Sequence, residues 1–267
     1  MGRSTIGNFP SAATSINSVS ATINGFVNAN LFTTTVTFEY GTTTAYGSTI
    51  SATPTTVSGN TNTNVSADLT GLAAGNTYYY RVKTTNKFGT VYSSQSSFST
   101  VVAIGDAFQG GKVAYILQPG DPGYNSNTQH GLISALTDQS NTIGWVVGGN
   151  SQSTYNGNTL ADFGTGQANT NIMIAQVGVT GGAANICNDY TNTETGTGVY
   201  NDWYLPSKNE LAKIYVNTDA IGGFVSEWYW SSTESGQVSA WGLNVTYGDI
   251  VPRDKDFIYS VRAVRSF

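Results

Sequence analysis

A mostly β chain of two domains is predicted by three observations. Short segments rich in Thr, Val, Ile, Tyr and Phe recur between Gly-, Asn- and Ser-rich turns, as strands do. Composition changes near residue 100: all five Trp (145, 203, 228, 230 and 241) lie beyond it, and Thr, Ser, Asn and Gly dominate the part before it. Charge divides at the same place. Residues 1–100 carry four basic and two acidic side chains, and the remainder carries seven basic and fourteen acidic. The 267 residues suffice for two domains of ordinary size. The expected organisation is an arm over residues 1–15, a β-sandwich over 16–101, and a domain over 102–267 in which a short helix feeds a small aromatic sheet.

The arm is polar, with Pro10 close to the first strand, and is read as disordered alone or added to a neighbouring subunit's sheet edge. Strands follow at Ala21–Val27, Thr34–Tyr40 and Thr77–Lys83. Val36, Phe38 and Tyr40 alternate with polar neighbours, the period of a half-buried strand. In the run Tyr78-Tyr79-Tyr80 the same period puts Tyr78 and Tyr80 on one face and Tyr79 on the other, so at least one face is core. About a hundred residues of this pattern predict a β-sandwich. The segment from Leu69-Thr70-Gly71-Leu72 through Tyr78-Tyr79-Tyr80-Arg81-Val82, then Asn86-Lys87-Phe88-Gly89 and Phe98-Ser99-Thr100, resembles fibronectin type III domains, which implies a spacing or assembly role.

In the second domain, Val113–Leu117 is an apolar run ended by Gln118-Pro119-Gly120-Asp121-Pro122-Gly123, a strong turn signal. His130–Ala135 is the next strand, residues 148–168 form a polar, Gly-rich loop, and residues 169–177 and 183–190 are short helices. Ser207 and Glu210 make an S-x-x-E capping box: the Ser hydroxyl accepts an orphan N–H of the first turn and the Glu reaches back to the cap. Leu211, Ile214 and Tyr215 continue at helical spacing. Short aromatic runs broken by Ser, Gly and Asn then read as strands joined by turns.

The blocks Asp202–Leu211, Tyr229-Trp230-Ser231-Ser232-Thr233, Ala240-Trp241 and Val261-Arg262-Ala263-Val264-Arg265, with Ile104–Gly111 and His130–Ile133 before them, resemble the C-terminal domain family named after the Legionella collagen-like protein. The resemblance covers about residues 104 to 267. It implies an α+β, C-type-lectin-like domain with a role in adhesion or ligand binding.

Several function classes are disfavoured by composition. Only a tenth of the residues are charged and no Lys/Arg cluster exists, so nucleic acid is not an expected partner. No run of 18 apolar residues is present, so no membrane insertion by a helix is expected. Met1–Ile6 lacks the apolar core of a secretory signal. The chain is therefore read either as an excised piece or as a protein that reaches its destination without a signal, as virion proteins do. The single cysteine, Cys187, rules out an internal disulfide and is read as a small buried side chain.

Catalysis is not expected. With one His and one Cys, a Cys–His pair needs Cys187 and His130 themselves to meet, and no G-x-S-x-G elbow accompanies any Ser. The C-type-lectin-like fold includes the formylglycine-generating oxidase, but that chemistry uses two cysteines and this chain has one. No cofactor is expected. Calcium is the one ion the loops leave open, through Asp121, Asp202, Asp249, Asp254 and Asp256. The Glu-Pro-Asn or Gln-Pro-Asp triplet of calcium-dependent sugar-binding lectins is missing, because Gln118-Pro119 is followed by Gly120.

The ligand-binding expectation rests on residues 228–256. Sugars stack their C–H faces on aromatic rings and meet amide, carboxylate or guanidinium groups with their hydroxyls. Trp228, Trp241 and Tyr247 supply rings, and Glu234, Gln237, Asn244, Asp249, Arg253 and Lys255 supply polar edges. Trp230 and Trp241 are assigned to core packing as well. Arg262 and Arg265 are read as partners of buried carboxylates such as Glu210. The exposed candidates are Trp228, Gln237, Asn244, Tyr247, Asp249 and Arg253. The function expected is non-enzymatic adhesion: an oligomeric protein at a cell or virion surface, with a glycan or a surface protein as ligand. The rival is a purely structural subunit of a fibre or lattice.

Overall fold

The structure is a computed structural model that describes residues 7–147, 156–176, 180–193, 197–225 and 228–267. The chain forms two compact units, Met1–Val102 and Ala103–Phe267.

The first unit consists of eight strands: β1 (Gly7–Thr14), β2 (Ser20–Asn28), β3 (Thr34–Gly41), β4 (Ser48–Val57), β5 (Asn62–Thr70), β6 (Thr77–Asn86), β7 (Gly89–Tyr92) and β8 (Ser96–Ser99). They pair in the order β1-β2-β5-β4-β3-β6-β7, with β8 also on β6. Strand alternation builds the core. Ile23 and Val27 of β2, Val36 and Phe38 of β3, Val65 and Leu69 of β5, and Tyr80 and Val82 of β6 all turn inward. Tyr78 and Tyr80 are both buried on that face, as their spacing requires, and Tyr79 looks the other way, half-buried.

Residues 7–14 are not a free arm. They pair antiparallel with β2 of their own chain, Phe9 opposite Phe26 and Ser11 opposite Asn24. Asn8 turns inward and donates through Nδ2 to Thr84 Oγ1 and the Val91 carbonyl, so its buried amide is satisfied. Strands β4 and β5 went unassigned in the sequence because Ser, Thr and Asn fill their outward positions. Their inward residues Ala52, Val57, Val65, Ala67 and Leu69 are buried.

The second unit comprises β9 (Ala107–Phe108), β10 (Gly111–Ile116), β11 (Gly131–Ser134), β12 (Ser140–Gly144), β13 (Val146–Val147), α1 (Gly166–Ile174), β14 (Gly181–Gly182), α2 (Ala183–Asn188), α3 (Lys208–Tyr215), α4 (Thr218–Ile221), β15 (Trp228–Glu234), β16 (Ser239–Asn244), β17 (Ile250–Asp254), β18 (Ile258–Val261) and β19 (Val264–Ser266). The strands form a four-stranded sheet in the order β19-β11-β10-β9, a five-stranded sheet in the order β12-β18-β15-β16-β17, and the pair β13-β14. Helix α1 starts at Gly166, three residues earlier than the sequence reading. Val177 and residues 148–155 of the expected loop lie outside the described residues.

Three fully buried tryptophans, Trp145, Trp203 and Trp230, anchor this core. Each indole N–H finds a carbonyl: Ser231 at 2.7 Å, Tyr200 at 2.9 Å and Ile143 at 3.0 Å respectively. Cys187 is fully buried in the same core, and burial pushes its thiol up, away from the reactive thiolate.

The capping box at α3 forms both ways: Ser207 accepts from Glu210 N, and Glu210 accepts from Ser207 N at 2.7 Å. Leu211 and Ile214 bury the inner face of the helix. No helix among the described residues is long and apolar enough to cross a membrane.

Candidate functional site

The nine residues proposed from 228–256 do not make one surface. The fold sorts eight of them into three places and sets Trp241 apart from all three.

The first is a half-exposed face of the five-stranded sheet. Trp228 begins β15 and Arg253 lies on β17; between them on β16 is Gly242, whose missing side chain leaves room for the two to meet. The Arg253 guanidinium carbon sits 4.2 Å from the Trp228 ring centroid. A Cβ at Gly242 would stand 3.0 Å from Arg253 Cγ and 3.5 Å from Trp228 Cε3. Two rings the sequence reading missed complete the cluster. Tyr259 of β18 packs 5.8 Å from Trp228 and accepts Arg253 Nε at 2.8 Å, and Phe257 lies 5.8 Å from Tyr259. Phe257 is half exposed, at 50 %. Arg253 Nη1 and Nη2 have no hydrogen-bond acceptor among the described residues. The face thus offers flat rings and a guanidinium edge held in place by stacking. The alternation Phe257-Ile258-Tyr259, directly before the Val261–Arg265 motif, was the available signal for the missed pair.

The second place is buried. Glu234 and Lys255, proposed as polar edges for a ligand, form an ion pair at 2.6 Å with side chains 2 % and 0 % exposed. Lys255 Nζ also donates to the Gln237 carbonyl, and Glu234 accepts from the backbone N–H groups of Asn156 and Gly157. This pair holds the loop at 156–157 and the β15–β16 turn to the end of the sheet, with neither side chain exposed. Gln237 is exposed on that turn.

The third place is the β16–β17 turn. Asn244, expected to be exposed, is buried; its Oδ1 accepts from the N–H groups of Thr246 and Tyr247, an Asx-type turn. Tyr247 is 74 % exposed and Asp249 is exposed beside it. Trp241 departs from the core assignment. It is half-exposed opposite Pro252, with Lys208 Nζ 3.6 Å above its ring.

The arginines near the C-terminus have other partners than Glu210. Buried Arg262 pairs with Asp138 at 2.7 Å and also donates to the carbonyls of Ala135, Gly222 and Gly223. Arg265 binds Asp202 with Nε and Nη2, at 2.6 and 2.9 Å. The Arg265 hydrogen bonds hold the Asp202 carboxyl below the usual carboxylate range, against partial desolvation. Glu210 meets no cation among the described residues. It is fully buried, accepts from Gly164 N and Ser207 N, and its carboxyl is pushed up by burial against those hydrogen bonds.

Of the carboxylates weighed for calcium, Asp121 accepts from Tyr115 and from Gln118 N, Asp202 is tied to Arg265, and Asp254 caps Asp256 N. Among the described residues no three His, Cys, Asp or Glu side chains gather as a metal site.

A sequence profile described as the Lcl C-terminal domain matches residues 134–265, all within the second unit. No curated protein sequence matches the chain. Among solved structures, the chain is similar to the sensor domain of the anti-sigma factor RsgI4 of Pseudobacteroides cellulosolvens (20 % identity over 37 % of this chain and 96 % of that one, TM-score 0.30). It is also similar to the Yersinia pseudotuberculosis adhesin InvE (10 % identity over 97 % of this chain and 70 % of that one, TM-score 0.30).

Proposed function

We propose that this chain is a non-enzymatic, surface-displayed adhesion protein whose second unit binds a glycan or another surface ligand through the Trp228–Arg253–Tyr259–Phe257 face. The carrying observation is the Trp228–Arg253 stack at 4.2 Å, half open to solvent, within the residues that match the Lcl C-terminal domain. A ring face takes the C–H side of a sugar, and the free guanidinium nitrogens take its oxygens. Tyr247, at the turn that ends β16, is a peripheral ring of the same reading.

In this reading the second unit is C-type-lectin-like and the first is a fibronectin type III-like spacer. The spacer assignment is supported by the strand order and by Tyr78. Near the start of β6, its hydroxyl accepts the backbone N–H of Ala73 at 2.9 Å, the arrangement of a tyrosine corner. The setting is a cell surface or a virion fibre or decoration, with several copies so that weak sites gain avidity.

The test is a glycan array probed with the full chain, with calcium and with chelator, beside Trp228→Ala. Selective signal lost in the variant supports the reading, and the chelator lane decides the ion. A blank array from folded protein rejects it in favour of a structural subunit, for which the exposed Val251, Phe257 and Ile258 supply an apolar contact.

A further inference from the structure

The outward face of β1, β2 and β5 in the first unit has a composition that strand formation does not explain. Pairing aligns its side chains in cross-strand rows: Gly7, Asn28 and Asn62; Phe9, Phe26 and Asn64; Ser11, Asn24 and Ser66. Asparagine is depleted from strands, yet four occupy outward positions here. A local rule broken repeatedly on one face marks a site where something other than folding is served.

The face is also shaped. Phe9 and Phe26 stack with ring centroids 5.1 Å apart, and Phe9 is 53 % exposed. Beside them is an open depression of about 500 Å³ lined by Ser11, Ala12, Thr14, Asn24, Asn64 and Ser66, with the backbone at Gly25 and Val65. Asn24 Nδ2 donates to the Ala12 carbonyl and Thr14 Oγ1, which holds its Oδ1 in a fixed direction. Among the described residues, Asn24 Oδ1, both polar ends of Asn64, and the hydroxyls of Ser11 and Ser66 have no protein partner. One row further along, the Asp68 carboxylate accepts from Thr22 Oγ1 at 2.7 Å.

We infer that this face is a second binding surface, for a neutral polysaccharide. The ligand class follows from the chemistry present. The ring pair, with Phe9 exposed and Phe26 half-buried beneath it, offers a stacking surface for a pyranose ring, and fixed amide and hydroxyl groups beside it exchange hydrogen bonds with sugar hydroxyls. The absence of any free charge in the three rows gives an anionic polymer no partner and gives a neutral one no unpaired ion to desolvate. The openness of the depression suits a side-on chain and not an enclosed small molecule. The surface is independent of the Trp228–Arg253 face and stands if that reading fails.

The test is affinity gel electrophoresis of the full chain in gels containing a soluble β-glucan, xyloglucan, galactomannan or starch glucan, with an acidic pectin for comparison. At least one neutral polymer retards the wild type, and retardation persists at ~0.5 M NaCl, where exposed ionic contacts are screened. Phe9→Ala, more than half exposed and so tolerable to the fold, weakens retention about tenfold, and Asn64→Ala weakens it by a smaller factor. The Phe9→Ala loss is of the same size in a Trp228→Ala background, which separates this surface from the Trp228–Arg253 face. The inference is overturned if no neutral polymer retards the wild type, or if Phe9→Ala and Asn64→Ala are both retained unchanged. It is also overturned if light scattering shows a wild-type dimer that Phe9→Ala dissolves, which would assign the face to a second copy.

Discussion

The Arg253 guanidinium carbon sits over the Trp228 ring, 4.2 Å from its centroid, because Gly242 on the strand between them has no side chain. Gly242→Ala therefore disturbs the stack while leaving both partners in the chain. We expect ligand binding at this face to weaken by about two- to fivefold, the worth of an exposed cation–π contact. Thermal stability should change little, because the tight contact of a Cβ, at 3.0 Å, is with the flexible Arg253 stem, and the backbone oxygen of Tyr229 lies at an ordinary 3.6 Å. Isothermal titration with an array-selected glycan checks this; unchanged affinity would show that the stack does not shape the site.

The Glu234–Lys255 pair is a structural element, and its removal is expected to act on stability. Lys255→Met leaves a buried carboxylate without its cation, at a cost of about 3–5 kcal/mol in urea unfolding. The double variant Glu234→Gln/Lys255→Met should recover much of that loss, since it removes both charges together. A double variant no better than the single one would mean that the backbone contacts of Glu234 to Asn156 and Gly157 dominate.

Arg262 uses its whole fork, on Asp138 and on three carbonyls. Arg262→Lys keeps the charge but leaves buried carbonyls unpaired, so a loss of about 2–4 kcal/mol is expected in spite of the conservative exchange. Urea unfolding of the variant measures it, and a loss near zero would show that a lysine amine can replace the fork.

Glu210 supplies a pH dependence of unusual sign for a carboxylate. Burial raises its folded-state carboxyl above the unfolded value, against the hydrogen bonds from Ser207 and Gly164, so the folded chain binds the proton more tightly. Its contribution is fully present below the unfolded carboxyl value and is lost as pH rises through the folded one. Glu210→Gln should therefore flatten the fall in stability on the neutral side of about pH 4.5, read from urea midpoints across pH. An unchanged slope would mean that the hydrogen bonds to the ionised form offset the desolvation.

What the sequence by itself determined is local or periodic. The S-x-x-E spacing of Ser207 and Glu210 contains its own capping geometry, and the structure forms it in both directions. The pleat period assigned Tyr78 and Tyr80 to a buried face, since side chains two apart cannot separate in a strand. Burial of the lone Cys187 followed from its apolar chemistry. The same signal was weak where outward positions were all Ser, Thr or Asn, and β4 and β5 were missed there although Val65, Ala67 and Leu69 alternate. Polar residue type alone did not show which way a side chain would face. Asn244 was read as a ligand edge and is a buried turn former, and Glu234 and Lys255 are each other's partner. Tertiary structure decided these, and with them the partners of Arg262 and Arg265, because Asp138 and Asp202 lie 124 and 63 residues away along the chain. A local period extends over a few residues; an ion pair across such a separation exists only once the sheets have closed.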